Sequence, residues 1–585
     1  MTRSAPIYWM LLLSCWFGQG CNRSANQNPS AISSVAPTDA PPLAPVPEAV
    51  KSPDASKPLT FFENVSQQAG INFQYHAGRE AGEYAILESL GGGVGVFDLD
   101  NDGLIDVMLA GGGKLDNKTV SPLPCKVFRN QGDFQFVEVT TQTNLASDRF
   151  YNHGIFPGDY DGDGFVDMAI SGYGGIQLYH NQGDGTFDFQ EVLRSHPDVP
   201  WSSSLAWADF NGDGVLDLYV THYVDWSFSK HPVCVVNSDS REVCAPKDFE
   251  GLDDVLLFGD AQGGFQPKST EIGLMPNGKG LGVVASDFDL DGDVDIYVAN
   301  DTVDNFFNLN DGSGKFVDNA VIAGVAGDEF GVSTGSMGIA VGEFTGDALP
   351  DIWVTNFERE LFALYRNEGN GLYTHVSRNA GLAALGGLYV GFGTVSVDMD
   401  QDGDNDLVVA NGHVSYNSKN STFKQVPLIL QNDGKGRFTR QKDDAYFAEL
   451  HSGRGVVTAD FNNDGCCDLV FSHLEESATI LRGTNKNKQT RCTIRLVGTS
   501  SNRDAIGATV ELPTRHGVRS IGVNGGGSYL STSDNRITFS LADGKSKATV
   551  KWPSGSIEEF WLDPASNQSD WTNLVWIEGQ SHADR

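Results

Sequence analysis

The chain has 585 residues, enough for three or four domains of ordinary size, or for fewer if a repeat fold absorbs much of it. It holds 68 glycines without a three-residue period, and 40% of its residues are apolar, which excludes both a collagen helix and a wholly disordered chain. Asp and Glu outnumber Lys and Arg by 76 to 40, and a net charge of −36 repels phosphate backbones, so nucleic acid is not an expected partner.

In chain order, Arg3 precedes an apolar run from Ile7 to Phe17, and Gly18-Gln19-Gly20-Cys21 follows; this is the layout of a secretory signal over 1–21. The run is too short to span a bilayer, and no later run is long enough, so no transmembrane helix is expected. The ending resembles a bacterial lipoprotein signal, which implies lipidation of Cys21; plain cleavage nearby, giving a secreted protein, is the alternative. Residues 22–58 hold eight Pro, six Ser, seven Ala and no aromatic, a composition that buries no core and suits a tether. The expected place is therefore the cell envelope or surface, held by a lipid.

From residue 59 a pattern recurs. Asp98, Asp100, Asp102, Gly103 and Asp106 form D-x-D-x-D-G-x-x-D. It returns at Asp159, Asp161, Asp163 and Asp167, then at Asp209, Asn211, Asp213 and Asp217. Further copies are Asp287, Asp289, Asp291 and Asp295; Asp398, Asp400, Asp402 and Asp406; and Asp460, Asn462, Asp464 and Asp468. A decayed copy, Glu343, Thr345, Asp347 and Asp351, has Ala348 in place of the sixth-position Gly. Alternate oxygens at positions 1, 3 and 5 can face one ion, Gly at 6 allows the turn, position 7 offers a carbonyl and Asp at 9 closes the shell. Hard oxygen donors in a flexible cage suit Ca²⁺ better than Mg²⁺, so about six structural Ca²⁺ are expected, with none in the decayed loop. An EF-hand would need Glu at position 12, where Leu109, Ile170, Val220, Val298, Val409 and Phe471 stand instead.

Each loop lies between β-prone runs, and Gly-rich turns such as Asn310-Asp311-Gly312-Ser313-Gly314 follow. Four antiparallel strands per unit, seven times over, spell an all-β chain with a seven-bladed propeller at 59–488. A glycine five residues before the loop, as at Gly93 and Gly338, suits a first strand crowded at the axis. Phe62–Ile71 matches the fourth-strand segment Tyr373–Leu382, so the N-terminal strand is expected to complete the last unit. Residues 489–577 alternate apolar and polar over short segments, which reads as a small β-sandwich-like domain before a tail at 578–585.

The loops and turns resemble the FG-GAP (VCBS-type) repeats of integrin-like propellers. Ser501–Ala508, Gly527-Ser528-Tyr529-Leu530-Ser531 and Trp552-Pro553-Ser554-Gly555 look like the ASPIC/UnbV domain that follows such propellers in cartilage-acidic-protein-like secreted proteins. The resemblance implies an extracytoplasmic calcium-binding protein and assigns no activity.

Candidate sites beyond the loops are few. Cys234 and Cys244, close together in one long connection, are the expected disulfide, while Cys125, Cys466, Cys467 and Cys492 have no assigned pairing. Five residues past each closing Asp stand Gly111, Gly172, His222, Asn300, Asn356, Asn411 and His473. His222, Asn300, Asn356, Asn411 and His473 could form a polar ligand rim, or they simply serve the connections that start there. The connection from His222 to Asp254 carries Tyr223, Trp226, Phe228 and Phe249, which either present a binding surface or pack over their own blade. Asn502-Arg503-Asp504 is either a binding loop or a side-chain-bonded turn. No nucleophile elbow, metalloprotease motif or phosphate loop occurs, so no catalytic residue is assigned; His413 and His473 are the lone candidates for a base. The expected function is a non-catalytic, calcium-dependent binding or scaffolding module for a surface glycan or protein, with a polysaccharide lyase or hydrolase as the alternative.

Overall fold

The computed structural model describes residues 60–193, 201–237, 240–442, 444–484, 491–514, 517–540, 546–562 and 574–580. The signal, Cys21 and the tether lie outside the described residues.

The β-prone runs pair into seven antiparallel sheets of four strands each, and the fourth sheet gains a short fifth strand, Gly525–Gly526, from the C-terminal segment. Sheet 1 is Val94–Phe97, Asp106–Leu109, Lys126–Asn130 and Phe136–Glu138. Sheet 2 is Tyr151–Gly158, Asp167–Tyr173, Gly175–Asn181 and Phe187–Leu193. Sheet 3 is Ser202–Ala208, Asp217–His222, Val255–Gly259 and Phe265–Lys268, and sheet 4 is Gly280–Ser286, Asp295–Asn300, Phe306–Asn310 and Phe316–Asp318. Sheet 5 is Ile339–Gly342, Asp351–Val354, Ala363–Asn367 and Tyr373–His375, and sheet 6 is Gly391–Val397, Asp406–Asn411, Leu428–Asn432 and Phe438–Gln441. Sheet 7 takes Gly453–Ala459, Asp468–His473 and Thr479–Gly483, and its fourth strand is Phe62–Asn64 from the other end of the propeller sequence. Phe62 faces Gly483 and Asn64 faces Leu481, so the edge left open by the last repeat is covered by the first strand.

The first strands adjoin one another in chain order, and that of sheet 7 adjoins that of sheet 1. They are buried along their length because each is flanked by two neighbours; Tyr151–Gly158, Ser202–Ala208 and Gly280–Ser286 have no exposed residue. An asparagine near the end of the third strand ties sheet to sheet. Asn130 donates its amide to Ile105 O in its own loop and to Phe461 O in the loop of sheet 7, at 3.1 and 2.8 Å. Asn181, Asn310, Asn367 and Asn432 likewise reach Leu99 O, Phe210 O, Phe288 O and Phe344 O of the preceding sheet.

The C-terminal segment forms two sheets. Gly517–Gly522, Thr509–Thr514, Ser546–Lys551 and Ile557–Leu562 make one, and Ile537–Ser540, Arg491–Val497 and Leu574–Ile577 make the other. Its core residues Ile494, Val510, Phe539, Val550, Trp552 and Phe560 share one apolar cluster with Phe210, Leu216 and Val294 of the propeller. This is more than two neighbouring domains in contact, because the stretch from Gly525 to Asp534 runs into the ring itself. Gly525 and Gly526 pair with Ala285 and Val284, Ile339 bridges Ser528, and Thr532 bridges Gly95. The Ser528 hydroxyl donates to Val456 O, Leu530 N–H to the Ser204 hydroxyl, and Thr394 N–H to the Ser528 hydroxyl. Ile155 N–H donates to Leu530 O. First strands of all seven sheets therefore touch this segment.

The plug gives the axial glycines a concrete reason. A Cβ on Gly93 would stand 1.6 Å from Leu530 O, where no side chain fits. Tyr529 at the tip has no exposed surface, packs on Phe392 and donates its hydroxyl to Leu90 O at 3.1 Å, on the far side of the ring from the acidic loops.

Candidate metal centres

Every acidic loop joins a first strand to a second, and its geometry follows from which backbone groups its carboxylates cap. Position 1 accepts the position 6 N–H: Asp98 from Gly103 at 2.9 Å, Asp159 from Gly164 at 2.9 Å and Asp460 from Gly465 at 2.7 Å. Position 5 accepts from position 7, as Asp102 does from Leu104 at 2.9 Å and Asp291 from Asp293 at 3.0 Å. Position 9 is pinned on both oxygens. Asp106 accepts from Leu99 and Asn130 at 2.8 and 2.7 Å, and Asp217 from Phe210 and Gly259 at 2.9 Å each. The closing Asp thus locks the loop to the second and third strands before it serves any ion. Position 6 is left-handed as expected, and so is position 4, where Asn101, Leu290, Gln401 and Asn463 have φ of 55°, 68°, 62° and 54°. The sequence had pointed only to position 6.

The loop carboxylates are crowded, and those at positions 1 and 9 are largely desolvated while position 5 stays open to solvent. Oxygens of Asp98, Asp100 and Asp106 lie within 4.8 Å of one another, as do those of Asp159, Asp161 and Asp167 and those of Asp287, Asp289 and Asp291. Burial, and then the neighbouring carboxylates, push Asp106 up to about 8, Asp159 to about 7, Asp167 to about 9 and Asp217 to about 8. Asp287, Asp398 and Asp460 rise to about 6, 7 and 6, burial again being the chief cause. One buried oxygen in most loops has no hydrogen bond: Asp100 Oδ1, Asp159 Oδ1, Asp287 Oδ1, Asp398 Oδ1 and Asn462 Oδ1. Desolvated carboxylates with spare lone pairs, already fixed by backbone donors, fit a hard dication that would remove both penalties.

The decayed loop keeps the turn. Asp347 N–H and Gly346 N–H donate to Glu343, and Asp351 caps Phe344 and Asn367 as in the other loops. What it lacks is the donor set, since Thr345 contributes a buried hydroxyl where the others carry Asp or Asn.

Residues that no motif announced face several cages from the third strand. Arg129 Nη2 is 2.5 Å from Asp100 and 3.3 Å from Asp102. His180 Nδ1 is 3.1 Å from both Asp161 and Asp167, and Gln431 donates to Asp400. All three immediately precede the sheet-joining asparagine, the only regularity that could have marked them. The C-terminal domain also meets the loops. Asp504 accepts Asp159 N–H at 2.9 Å, Arg491 donates to Asp464 O at 2.8 Å, and Arg519 Nη1 lies 3.8 Å from Asp398. Asn502 is held in a turn by its bonds with Ile506, at 2.8 and 2.9 Å, so this segment is a side-chain-bonded turn that docks on the propeller.

The polar rim does not form. His222, Asn300, Asn356, Asn411 and His473 are all at most 2% exposed. Asn300 accepts from Lys279 N–H and donates to Asp304 O, Asn356 donates to Leu361 O, and Asn411 donates to Val426 O. His222 N–H donates to Asp254, and His473 sits between Ser477 O and the Tyr446 hydroxyl at 2.9 Å each. The side chains of Asn300, Asn356, Asn411 and His473, at the end of a second strand, are spent on holding the connection that begins there. His413 is 1% exposed, accepts Ser415 N–H on Nδ1 and lies 3.5 Å from Glu358, and burial lowers its pKa. Tyr223 and Trp226 of the long connection are buried against Trp201, Phe249 is buried in the same apolar cluster, and a disulfide joins Cys234 to Cys244.

Among the described residues, two cavities lie between the acidic loops and the C-terminal domain. The larger, about 650 Å³, is lined by Asp98, Asp102, Asp504, Arg495, Arg503 and Arg536 among others.

FG-GAP-like repeats match residues 98–170, 159–220 and 398–471, and the ASPIC and UnbV family matches 498–573. The chain carries FG-GAP-like repeats and an ASPIC/UnbV domain. Cartilage acidic protein 1 of Mus musculus is 25% identical over 494 residues, covering 80% of this chain and 71% of the relative. Its Homo sapiens counterpart is 24% identical over 494 residues, covering 80% and 69%. Among solved structures, a Bacillus licheniformis rhamnogalacturonan lyase aligns with a TM-score of 0.35 at 12% identity, over 73% of this chain and 76% of its own. The ASPIC/UnbV match at 498–573 includes Gly525–Asp534, the stretch that fills the ring.

Proposed function

We propose that the chain is an exported, calcium-stapled propeller that serves as a non-catalytic binding or scaffolding module for a surface glycan or protein. Six acidic loops would hold calcium structurally, and a lipid on Cys21 with the Pro-rich tether would keep the body at the envelope. The observation that carries the reading is the cavity of about 650 Å³ beside the first two loops. Its volume is in the range of ligand sites, and Arg495 and Arg503 offer cationic groups for an acidic sugar or side chain, beside the carboxylates of Asp98, Asp102, Asp504 and Asp534, the last already paired with Arg536 at 2.6 Å. The ring axis, by contrast, is filled by Gly525–Asp534, and the histidines that could act as a base are buried.

The test incubates the protein with neutral and acidic polysaccharides, with and without a calcium chelator, scoring retained protein and new reducing ends together. Calcium-dependent retention on acidic glycans, weakened in Arg495→Ala, with no new ends, is the expected result. New ends accumulating with time would replace this reading by a polysaccharide-processing enzyme. Absence of both signals would move the search to a protein partner.

A further inference from the structure

The residue preceding the sheet-joining position differs from sheet to sheet: Arg129, His180, Phe258, Leu309, Arg366, Gln431 and Arg482. Arg366 and Arg482 turn to Glu368 and Glu63, and two others are apolar. His180 alone brings a nitrogen with a lone pair to an intact loop. Its Nδ1 stands 3.1 Å from Asp161 Oδ2 and 3.1 Å from Asp167 Oδ1, and clusters with Asp161 and Asp163 within 4.8 Å. The same cage contains Asp159, 3% exposed, whose Oδ1 has no hydrogen-bond partner. Its Oδ2 and main-chain N–H are already fixed by Gly164 and Asp504, so the free oxygen has a set direction and nothing to accept from.

We propose that the loop of sheet 2 is a mixed carboxylate–imidazole site for a first-row divalent transition metal, of the Mn²⁺ or Zn²⁺ class, set apart from the all-oxygen loops. This rests on reading the loops as cation sites. Imidazole is a borderline donor suited to Zn²⁺, Fe²⁺ or Ni²⁺, and the carboxylates beside it admit Mn²⁺ as well, whereas Ca²⁺ draws its affinity from oxygen alone. A neutral His180 would use Nδ1 on the metal and keep its proton on Nε2. In the metal-free cage the same nitrogen lies within hydrogen-bond distance of Asp161 and Asp167, beside the position a cation would take.

The probe is one equivalent of Mn²⁺ added to the full-length protein with calcium in excess, read by pulsed electron paramagnetic resonance. The expected spectrum shows coupling to a directly bound imidazole ¹⁴N. In His180→Gln the coupling disappears and Mn²⁺ affinity falls by at least about 10- to 100-fold, the loss typical of disturbing even an outer-shell partner of a metal ligand. His76→Gln, an exposed site away from the loops, keeps it. Oxygen-only coordination in the unmodified protein, or coupling that survives His180→Gln, overturns the proposal even if that variant folds poorly. Calcium bound but Mn²⁺ not retained overturns it alone, showing His180 to be a proton-carrying stand-in. If neither cation binds, the loop reading itself fails.

Discussion

The two faces of the ring handle charge in opposite ways. On the loop face, carboxylates are packed together and raised in pKa, with Arg129, Arg491 and Arg519 reaching only three loops. On the opposite face two buried ionisable groups, Glu88 and Arg454, are held by hydrogen bonds. Glu88 accepts from Ala85 N–H and the Tyr416 hydroxyl, and Arg454, fully buried, donates to the carbonyls of Ser89, Gly453 and His413 over the Phe392 ring. If the loops hold cations as proposed, one face depends on an ion and the other on hydrogen bonds from its own chain.

Removing cations should break the comparison most forcefully. A site filled at a hundred times its dissociation constant contributes about 2.7 kcal/mol, so six independent sites would contribute on the order of 10 kcal/mol. Chemical denaturation with and without chelator measures this, and coincident midpoints would sink the cation reading. Next comes the plug that joins the faces. Gly93→Val sets a branched side chain against Leu530 O and should cost about 4 kcal/mol or release the C-terminal domain. Limited proteolysis beside denaturation distinguishes the two results.

Acid and base should then act on the faces with opposite signs. Burial lowers His153 to about 4; with folded pKa below the ordinary 6.5, its contribution is complete above pH 6.5 and is lost as pH falls towards 4, up to about 3 kcal/mol. His153→Gln should flatten that limb. In chelator, the raised carboxylates Asp106 and Asp217 do the reverse, since their folded state holds the proton. Their stabilisation is complete below pH 4 and is lost as pH rises towards about 8. Stability measured across pH 4–8, with calcium and then with chelator, separates the limbs; a single limb in both conditions would contradict the division.

The repeat was legible because ligand spacing is local: nine residues determine each loop, and Phe62–Ile71 carried enough of the fourth-strand pattern to find its partner near Leu481. The plug was not, because nothing near Tyr529 says that its neighbours are Leu90 and Phe392, hundreds of residues away. The rim misled for a different reason. Polarity at Asn300 and His473 marks hydrogen-bonding capacity, and the sequence does not reveal whether backbone or ligand uses it. His180 was hidden because a third-strand residue faces a loop only through the strand pairing of Tyr179 with Met168.

The smallest expected effect tests what the loops owe to backbone and what to the ion. Ala348 holds φ of 66° at position 6 of the decayed loop, where Gly103 holds 84° in an intact one. A left-handed alanine costs about 1 kcal/mol relative to glycine. Ala348→Gly should therefore raise stability by up to about 1 kcal/mol, reduced by the extra freedom glycine gains in the unfolded chain. Gly103→Ala should lower it by a similar amount, and since a Cβ there meets nothing within 4 Å, the loss is conformational alone. Chelator should leave the Ala348→Gly gain unchanged, because Thr345 and Glu343 leave that loop without the donor set. In calcium, the Gly103→Ala loss should grow if the strained turn also spreads the carboxylates of Asp98 and Asp102. Equal losses with and without calcium would mean that the turn is a backbone device that the ion merely occupies.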